Sequence, residues 1–94
     1  MKKDTKARAL HRAKIIKGQL TALEKQIGDD AYCMDILTQS LAIQKSLGSL
    51  SKLVVAHHIE VHIQHMLASG DEASRQKALD ELSELYELSS VRSK

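Results

Sequence analysis

Four of the five histidines of this chain lie within nine residues, in the stretch HHIEVHIQH. On a helix, side chains at i, i+4 and i+7 share a face, so His58, His62 and His65 lie together and His57 points about 100° away. Two histidines at i and i+4 are the arrangement by which one helix offers two imidazoles to a metal ion. The HExxH order of zinc proteases is absent. We therefore expect a metal site of another kind.

The single cysteine, Cys33, is a second type of candidate ligand, and it precedes His58 by 25 residues. Along one straight helix this spacing amounts to about 37 Å, so the two side chains cannot bind one ion within one chain. Antiparallel pairing of the same helix from two chains brings Cys33 of one chain close to His58 and His62 of the other. A two-fold axis then creates two such sites per dimer. Alternatively, Cys33 is a small buried residue or a reactive thiol.

The predicted donor set limits the choice of metal. A thiolate with two imidazoles suits Cu(I) in a three-coordinate site, and Zn(II), Ni(II) or Co(II) where further ligands complete the coordination. His65, Glu60 and the N-terminal amine are candidates for the additional ligands. Histidines on a solvated face without any ligand are the alternative for an isolated pair, but four histidines in nine residues beside a free thiol favour a metal site.

The elements that must position these residues are helices, because apolar residues recur with helical spacing and no strand-like alternation is present. Gly28 and Gly70 mark the two turns. A central helix of this length needs a partner along most of its length, which agrees with antiparallel pairing. We expect an all-α fold, a three-helix protomer with one long central helix, in a single domain, 1–94. The predicted helices cover about 4–28, 31–68 and 72–90.

Charge is distributed unevenly along the chain. The net charge is +2, but residues 1–17 hold seven Lys or Arg and one acidic residue, a local charge of +6. A basic end of this kind favours a polyanion as partner of the first helix. A solvated lysine-rich helix and an anionic membrane surface are alternatives, although the segment has no Trp or Phe anchor for a membrane.

Several classes of protein are disfavoured by what the sequence lacks. No apolar run approaches the ~20 residues of a membrane-spanning helix. One cysteine cannot form an intramolecular disulfide, so we expect a cytoplasmic protein. No nucleophile–base–acid set and no phosphate-binding loop appears, so we expect a protein that is not an enzyme.

Three stretches, RAKIIKGQL, AYCMDILTQSLAIQKSL and HHIEVHIQH, resemble the CsoR/RcnR family of bacterial metal-sensing repressors. The most specific elements are Gly18-Gln19, the YCxDILTQ pattern, and the Cys-to-His spacing with a further ligand four residues on. The resemblance implies an antiparallel dimer that forms a four-helix bundle, and a dimer of dimers, which is a homotetramer. It also implies repression of metal-efflux or detoxification genes and release of double-stranded operator DNA when the inducer binds.

The resemblance also implies roles for individual residues. Cys33 matches the first metal ligand of the family, and His58 and His62 of the other chain match the second and third. Copper sensors more often have cysteine at the third position. Nickel and cobalt sensors use Cys-His-His with a further histidine near the N-terminus, where this chain has Met1. Tyr32 resembles the copper branch, so Cu(I) is the leading inducer. The acidic outer-sphere residue of copper sensors has no direct match, because its position falls near Ala78 here, and Glu81 is the nearby candidate.

The family binds DNA through a basic surface of first-helix and second-helix residues, not through a helix-turn-helix. Phosphate contacts of this kind give salt-dependent binding, whereas base contacts supply specificity. The matching positions are Arg12, Lys14 and Lys17, with Lys45 and Lys52 as further candidates.

Two other functions fit the same scaffold. A formaldehyde- or electrophile-sensing repressor uses the cysteine as a nucleophile, and it requires Cys33 but not His62. A non-regulatory helical oligomer for metal storage or scaffolding has no specific DNA affinity. Metal and operator titrations distinguish these functions from a metal-responsive repressor.

Overall fold

The structure, a computed structural model, describes residues 1–92, with side chains described through residue 88. Within these residues all regular secondary structure is helical, which confirms the predicted all-α class with a long central helix. The predicted domain, 1–94, includes two residues that lie outside the described part. The elements are α1 (Lys3–Gly28), α2 (Cys33–His58), a π turn (Ile59–Ile63), α3 (Gln64–Ala68) and α4 (Glu72–Arg92).

The central helix differs from its prediction in two respects. It begins at Cys33, two residues later than predicted, and it is not a regular α-helix throughout, because Ile59–Ile63 forms a π turn. In this turn the N–H of Gln64 donates to the carbonyl of Ile59. Helical structure nevertheless continues without a break from residue 33 to residue 68. The single long helix is therefore present with one wider turn within it.

The late start of α2 results from the way α1 ends. The N–H of Ala31 donates to the carbonyl of Gln26, and the N–H of Asp30 donates to the carbonyl of Ile27. These two bonds form a Schellman cap, and Asp30 occupies its left-handed position with φ 54°. Because residues 29–31 are used to close α1, the next helix cannot begin until the chain has turned.

The chain divides into two compact units, and the first extends from Met1 to His57. In this unit α1 and α2 run antiparallel, as two side-chain contacts show. Arg12 contacts Ser49, and the Nε2 of Gln39 donates to the carbonyl of Gln19. Residues nearer the C-terminus of α1 thus contact residues nearer the N-terminus of α2.

The face of α2 that is buried in this unit has a regular period. Ile43 and His57 are buried, and Ile36 and Leu50 are half-buried. At 100° per residue these four side chains fall within an arc of about 60°. Ile16 is the buried residue of α1. His57, which the spacing placed away from the other histidines, therefore extends the buried stripe of α2.

The second unit begins at His58 and contains the π turn, α3 and α4. Ile63 in the π turn and Ala78 in α4 are its buried apolar residues, at 2% and 0% exposure. The carboxylate of Asp71 accepts hydrogen bonds from the N–H and the hydroxyl of Ser74, which caps the start of α4. Gly70 adopts φ 76° in the turn before it, a conformation that glycine adopts readily. Among the described helices none is long and apolar enough to cross a membrane.

Candidate metal centre and nucleic-acid interface

The predicted histidine ligands lie side by side in the second unit. The ring centroids of His58 and His62 are 5.1 Å apart, with the ring planes inclined at 38°. Because His62 belongs to the π turn, its direction relative to His58 differs from that in a regular α-helix. An open depression at this point is lined by His58, His62, His65, Met66, Lys77 and Glu81. Three imidazoles thus lie at one accessible place, as their i, i+4 and i+7 spacing predicts.

A carboxylate from α4 reaches one of these imidazoles. The Oε1 of Glu81 lies 2.5 Å from the Nε2 of His58, and both side chains are partly buried. Since Nε2 faces the carboxylate, Nδ1 is the ring nitrogen of His58 that can bind a metal ion. A carboxylate in this position fixes the orientation of a ligating ring. The structure therefore brings Glu81, an expected outer-sphere residue, against one of the expected ligands.

The remaining predicted site residues lie elsewhere. Cys33 is the first residue of α2 and is exposed, as is Tyr32 before it. His58 is the last residue of the same helix, so the thiol and the imidazole occupy its opposite ends. Glu60 is exposed in the π turn and does not line the depression. In the described part of a single chain, no group of three or more His, Cys, Asp or Glu side chains is placed to hold a metal ion.

One face of α2 nevertheless carries both types of donor. At 100° per residue, Cys33, Leu37, Leu41 and His58 fall within an arc of about 100°, centred about 120° from the buried stripe. The two leucines are 55% and 58% exposed. We call this set of four residues the open face of α2. It carries a metal-binding donor at each end and two exposed leucines near its start, with Ser40, Gln44 and Ser51 in the same arc.

The five predicted DNA-contacting residues do not share one surface of the first unit. Lys14 and Lys17 are exposed on the outer face of α1. Lys3 and Lys6 fall on the same face, within an arc of about 80°. Arg12 lies about 160° away from this arc, on the face of α1 that packs against α2. The lysines of α1 thus form a basic face of their own.

Arg12 belongs with the predicted basic residues of α2. Its Nη1 donates to the carbonyl oxygen of Ser49 at 2.8 Å and to the hydroxyl of Ser49 at 2.9 Å. Lys45 and Lys52 are exposed and lie on the same side of α2 as Ser49. The predicted set therefore divides into an outer group on α1 and a second group beside α2.

Some features of these sites had not been identified from the sequence. The π turn, the placement of Met66 and Lys77 beside the histidines, and the contact of Ser49 with Arg12 all depend on packing between residues. The one sequence feature that could have pointed to Ser49 is its position between Lys45 and Lys52.

Comparisons with known proteins show the family to which the chain is similar. Residues 5–88 match the family described as "Metal-sensitive transcriptional repressor". The chain is 33% identical, over 79 residues, to the copper-sensing transcriptional repressor CsoR of Mycobacterium ulcerans, covering 84% of this chain and 65% of that protein. It is 36% identical, over 69 residues, to the transcriptional repressor RcnR of Escherichia coli O9:H4, covering 73% of each.

A solved structure is also similar. The crystal structure of the copper-sensing repressor CsoR with Cu(I) from Geobacillus thermodenitrificans aligns with a TM-score of 0.73 and 25% identity, covering 92% of this chain and 91% of that one. The matching region extends over most of the chain, including both helical units and the predicted ligands. The chain thus belongs to the CsoR/RcnR family of metal-sensitive transcriptional repressors.

Proposed function

We propose that this chain is a metal-responsive repressor that binds operator DNA when metal-free and leaves it when Cu(I) binds. The site consists of Cys33 from one protomer and of His58 and His62 from its antiparallel partner. Two such protomers form a four-helix bundle, and two dimers form a tetramer, in the cytoplasm. The observation that carries the proposal is the open face of α2 in a chain of this family.

Exposed leucines on the open face support the dimer. Leu37 and Leu41 are more than half exposed in the single chain. Burying a leucine side chain stabilises by roughly 1.5–3 kcal/mol, so four half-exposed leucines in a dimer supply several kcal/mol. Antiparallel pairing through this face places Cys33 at the histidine end of the partner helix. The same contact therefore stabilises the dimer and completes the donor set.

The chemistry of the donor set supports Cu(I). One thiolate and two imidazoles supply three donors, a coordination number that Cu(I) accepts. The contact of Glu81 with the Nε2 of His58 directs Nδ1 towards a metal. Copper-sensing proteins are among the relatives of the chain.

A nickel-, cobalt- or zinc-responsive repressor is the second candidate. It is favoured by the nitrogen-rich donor set and by His65, which lines the same depression and can add a further imidazole. The similarity to RcnR, a repressor of the same family, agrees with this alternative. An electrophile-sensing repressor requires Cys33 alone and gives no account of the grouped histidines.

Regulation requires coupling between the metal and the DNA. Metal must bind the DNA-free state more tightly than the DNA-bound state, typically by about 1–3 kcal/mol, and DNA must weaken metal binding by the same factor. The contact between Glu81 and His58 joins α4 to the ligand, so ligation at His58 and the position of α4 can affect one another.

A titration of operator binding with different metals tests this function. Operator fragments are first selected from genomic DNA by the metal-free protein. Cu(I), Ni(II), Co(II) and Zn(II) are then added separately, with binding followed by fluorescence anisotropy. We expect Cu(I) to release the DNA at the lowest concentration and Cys33→Ala to abolish this release without weakening DNA binding. Release of the Cys33→Ala variant by Cu(I) contradicts the assigned site, and release by Ni(II) or Co(II) at lower concentration than Cu(I) favours the second candidate.

A further inference from the structure

We propose that Ser49 is a positioning residue that holds the guanidinium of Arg12 beside α2, where it forms a phosphate-binding group with Lys45 and Lys52. This inference rests on the proposed DNA-binding function. It identifies Arg12 as the cation that is held in position before DNA binds, and Ser49 as the residue that holds it.

The contact between the two residues uses one nitrogen of Arg12. Nη1 donates to the carbonyl oxygen and to the Oγ of Ser49, at 2.8 and 2.9 Å, so both of its N–H groups have acceptors. A guanidinium has five N–H donors, and the other three belong to Nε and Nη2. Nε and one N–H of Nη2 lie along the same edge of the group. That edge matches two oxygens of a phosphate.

Burial distinguishes Arg12 from the other cations. Among the Lys and Arg residues whose side chains are described, Arg12 alone is half-buried and the others are exposed. A long cationic side chain loses conformational entropy when it is held in one position on a ligand. Because Ser49 already restrains Arg12, less entropy is lost when a phosphate binds.

The neighbours of Ser49 are cationic and not acidic. Lys45 precedes it by four residues and Lys52 comes three residues after it, so the three side chains lie within an arc of about 60° on α2. The stretch 36–59, which contains this arc, has no Asp or Glu, and neither does the stretch 5–23 around Arg12. A guanidinium whose role is only structural is commonly paired with a carboxylate, whereas three cations without an acidic neighbour attract an external anion.

The repeated anion of duplex DNA fits this group. Phosphates along a strand are evenly spaced single charges, and contacts to them do not depend on sequence. The group therefore contributes to binding any duplex, and sequence preference depends on other contacts. Lys14 and Lys17 lie on the outer face of α1 and form a separate group, for which the described residues supply no such anchor.

The test uses the full chain and a labelled duplex of mixed sequence at low salt, because phosphate contacts dominate binding there. Affinity is measured by anisotropy at several salt concentrations. We expect Ser49→Ala to weaken binding about threefold to tenfold. Ser49→Thr, which keeps the hydroxyl, restores most of the affinity. Ser51→Ala, an exposed serine two residues on, has no effect.

Two further measurements separate positioning from stability. Alanine is the better helix former, so the Tm of Ser49→Ala does not fall, although its DNA affinity does. Arg12→Gln lowers the slope of log affinity against log salt by about one, whereas Ser49→Ala leaves this slope unchanged because the cation is retained.

The outcomes distinguish this inference from the proposed function. If the unaltered chain binds no duplex at any salt concentration, both are wrong. If it binds and Ser49→Ala binds equally well, or loses affinity only in proportion to a loss of folded protein, Ser49 has no positioning role and the repressor function stands.

Discussion

Two faces of α2 carry apolar side chains that are packed differently within one chain. Ile43, on the face that meets α1, is 6% exposed, whereas Leu41, two residues earlier and on the open face, is 58% exposed. The apolar character of a single side chain therefore does not determine whether the chain buries it. The face that α1 covers serves the fold, and we interpret the other as serving assembly and the metal site.

The two faces also differ in the residues at their ends. The buried stripe ends in His57, which is buried with it. The open face begins at Cys33 and ends at His58, both of which are accessible enough to bind a ligand. His57 and His58 thus have different environments, because successive side chains of a helix point about 100° apart around its axis.

The largest expected effect is that of a charge on the buried face. Ile43→Asp places a carboxylate among apolar side chains, and we expect a loss of about 4 kcal/mol or more in the free energy of unfolding, enough to abolish cooperative thermal unfolding. Circular dichroism measures the loss. A variant with unchanged Tm contradicts the burial of this face.

The same charge on the open face is expected to affect assembly instead. Leu41→Asp keeps the helical content of the protomer but separates the dimer, so analytical ultracentrifugation shows a lower mass and the Tm no longer rises with protein concentration. Leu10 is a similarly exposed leucine on α1. The matched control, Leu10→Asp, is therefore expected to leave the mass unchanged. If Leu41→Asp remains dimeric, the open face is not the dimer interface.

A smaller effect is expected at the histidine end of the open face. Glu81→Gln removes the charge that faces the Nε2 of His58. Metal affinity falls about tenfold to 100-fold, the usual consequence of losing an outer-sphere partner, while the fold is retained. Glu87→Gln, on the same helix, is the control. Competition with a chelator measures both, and equal affinities in the two variants exclude a role for Glu81.

The smallest effect is expected away from both faces. Lys25 and Asp29 form an exposed ion pair at 2.8 Å, with side chains 78% and 63% exposed. Breaking it by Lys25→Ala changes the free energy of unfolding by about 0.5 kcal/mol or less. Urea unfolding measures this change, and a larger one shows that the outer surface of α1 has packing that the single chain does not show.

Much of the fold could be predicted from residue spacing. The periodic apolar residues and the two glycine turns indicated helices whose observed ends differ by no more than two residues from those predicted, apart from the division of the central helix. The shared direction of His58 and His62 also results from spacing alone. These features depend on local geometry, which sequence describes well.

Other features depend on contacts between distant residues. No sequence pattern predicts the π turn at Ile59–Ile63. The wider turn is observed where Ile63 is buried in the second unit. Likewise, no local sequence pattern distinguishes Ser49 from other helix residues, and its role depends on the contact with Arg12.

The central claim is that each metal site takes its thiolate and its imidazoles from different chains. Mixing two inactive variants tests it directly: Cys33→Ala chains are unfolded and refolded together with His58→Ala/His62→Ala chains, and Cu(I) binding is then titrated. In a mixed dimer the two intact halves meet at one of the two sites, so random pairing restores about one-quarter of the original sites, whereas each variant alone has none. Recovery near that fraction supports a site shared between chains, and a mixture that binds no more Cu(I) than the separate variants contradicts it.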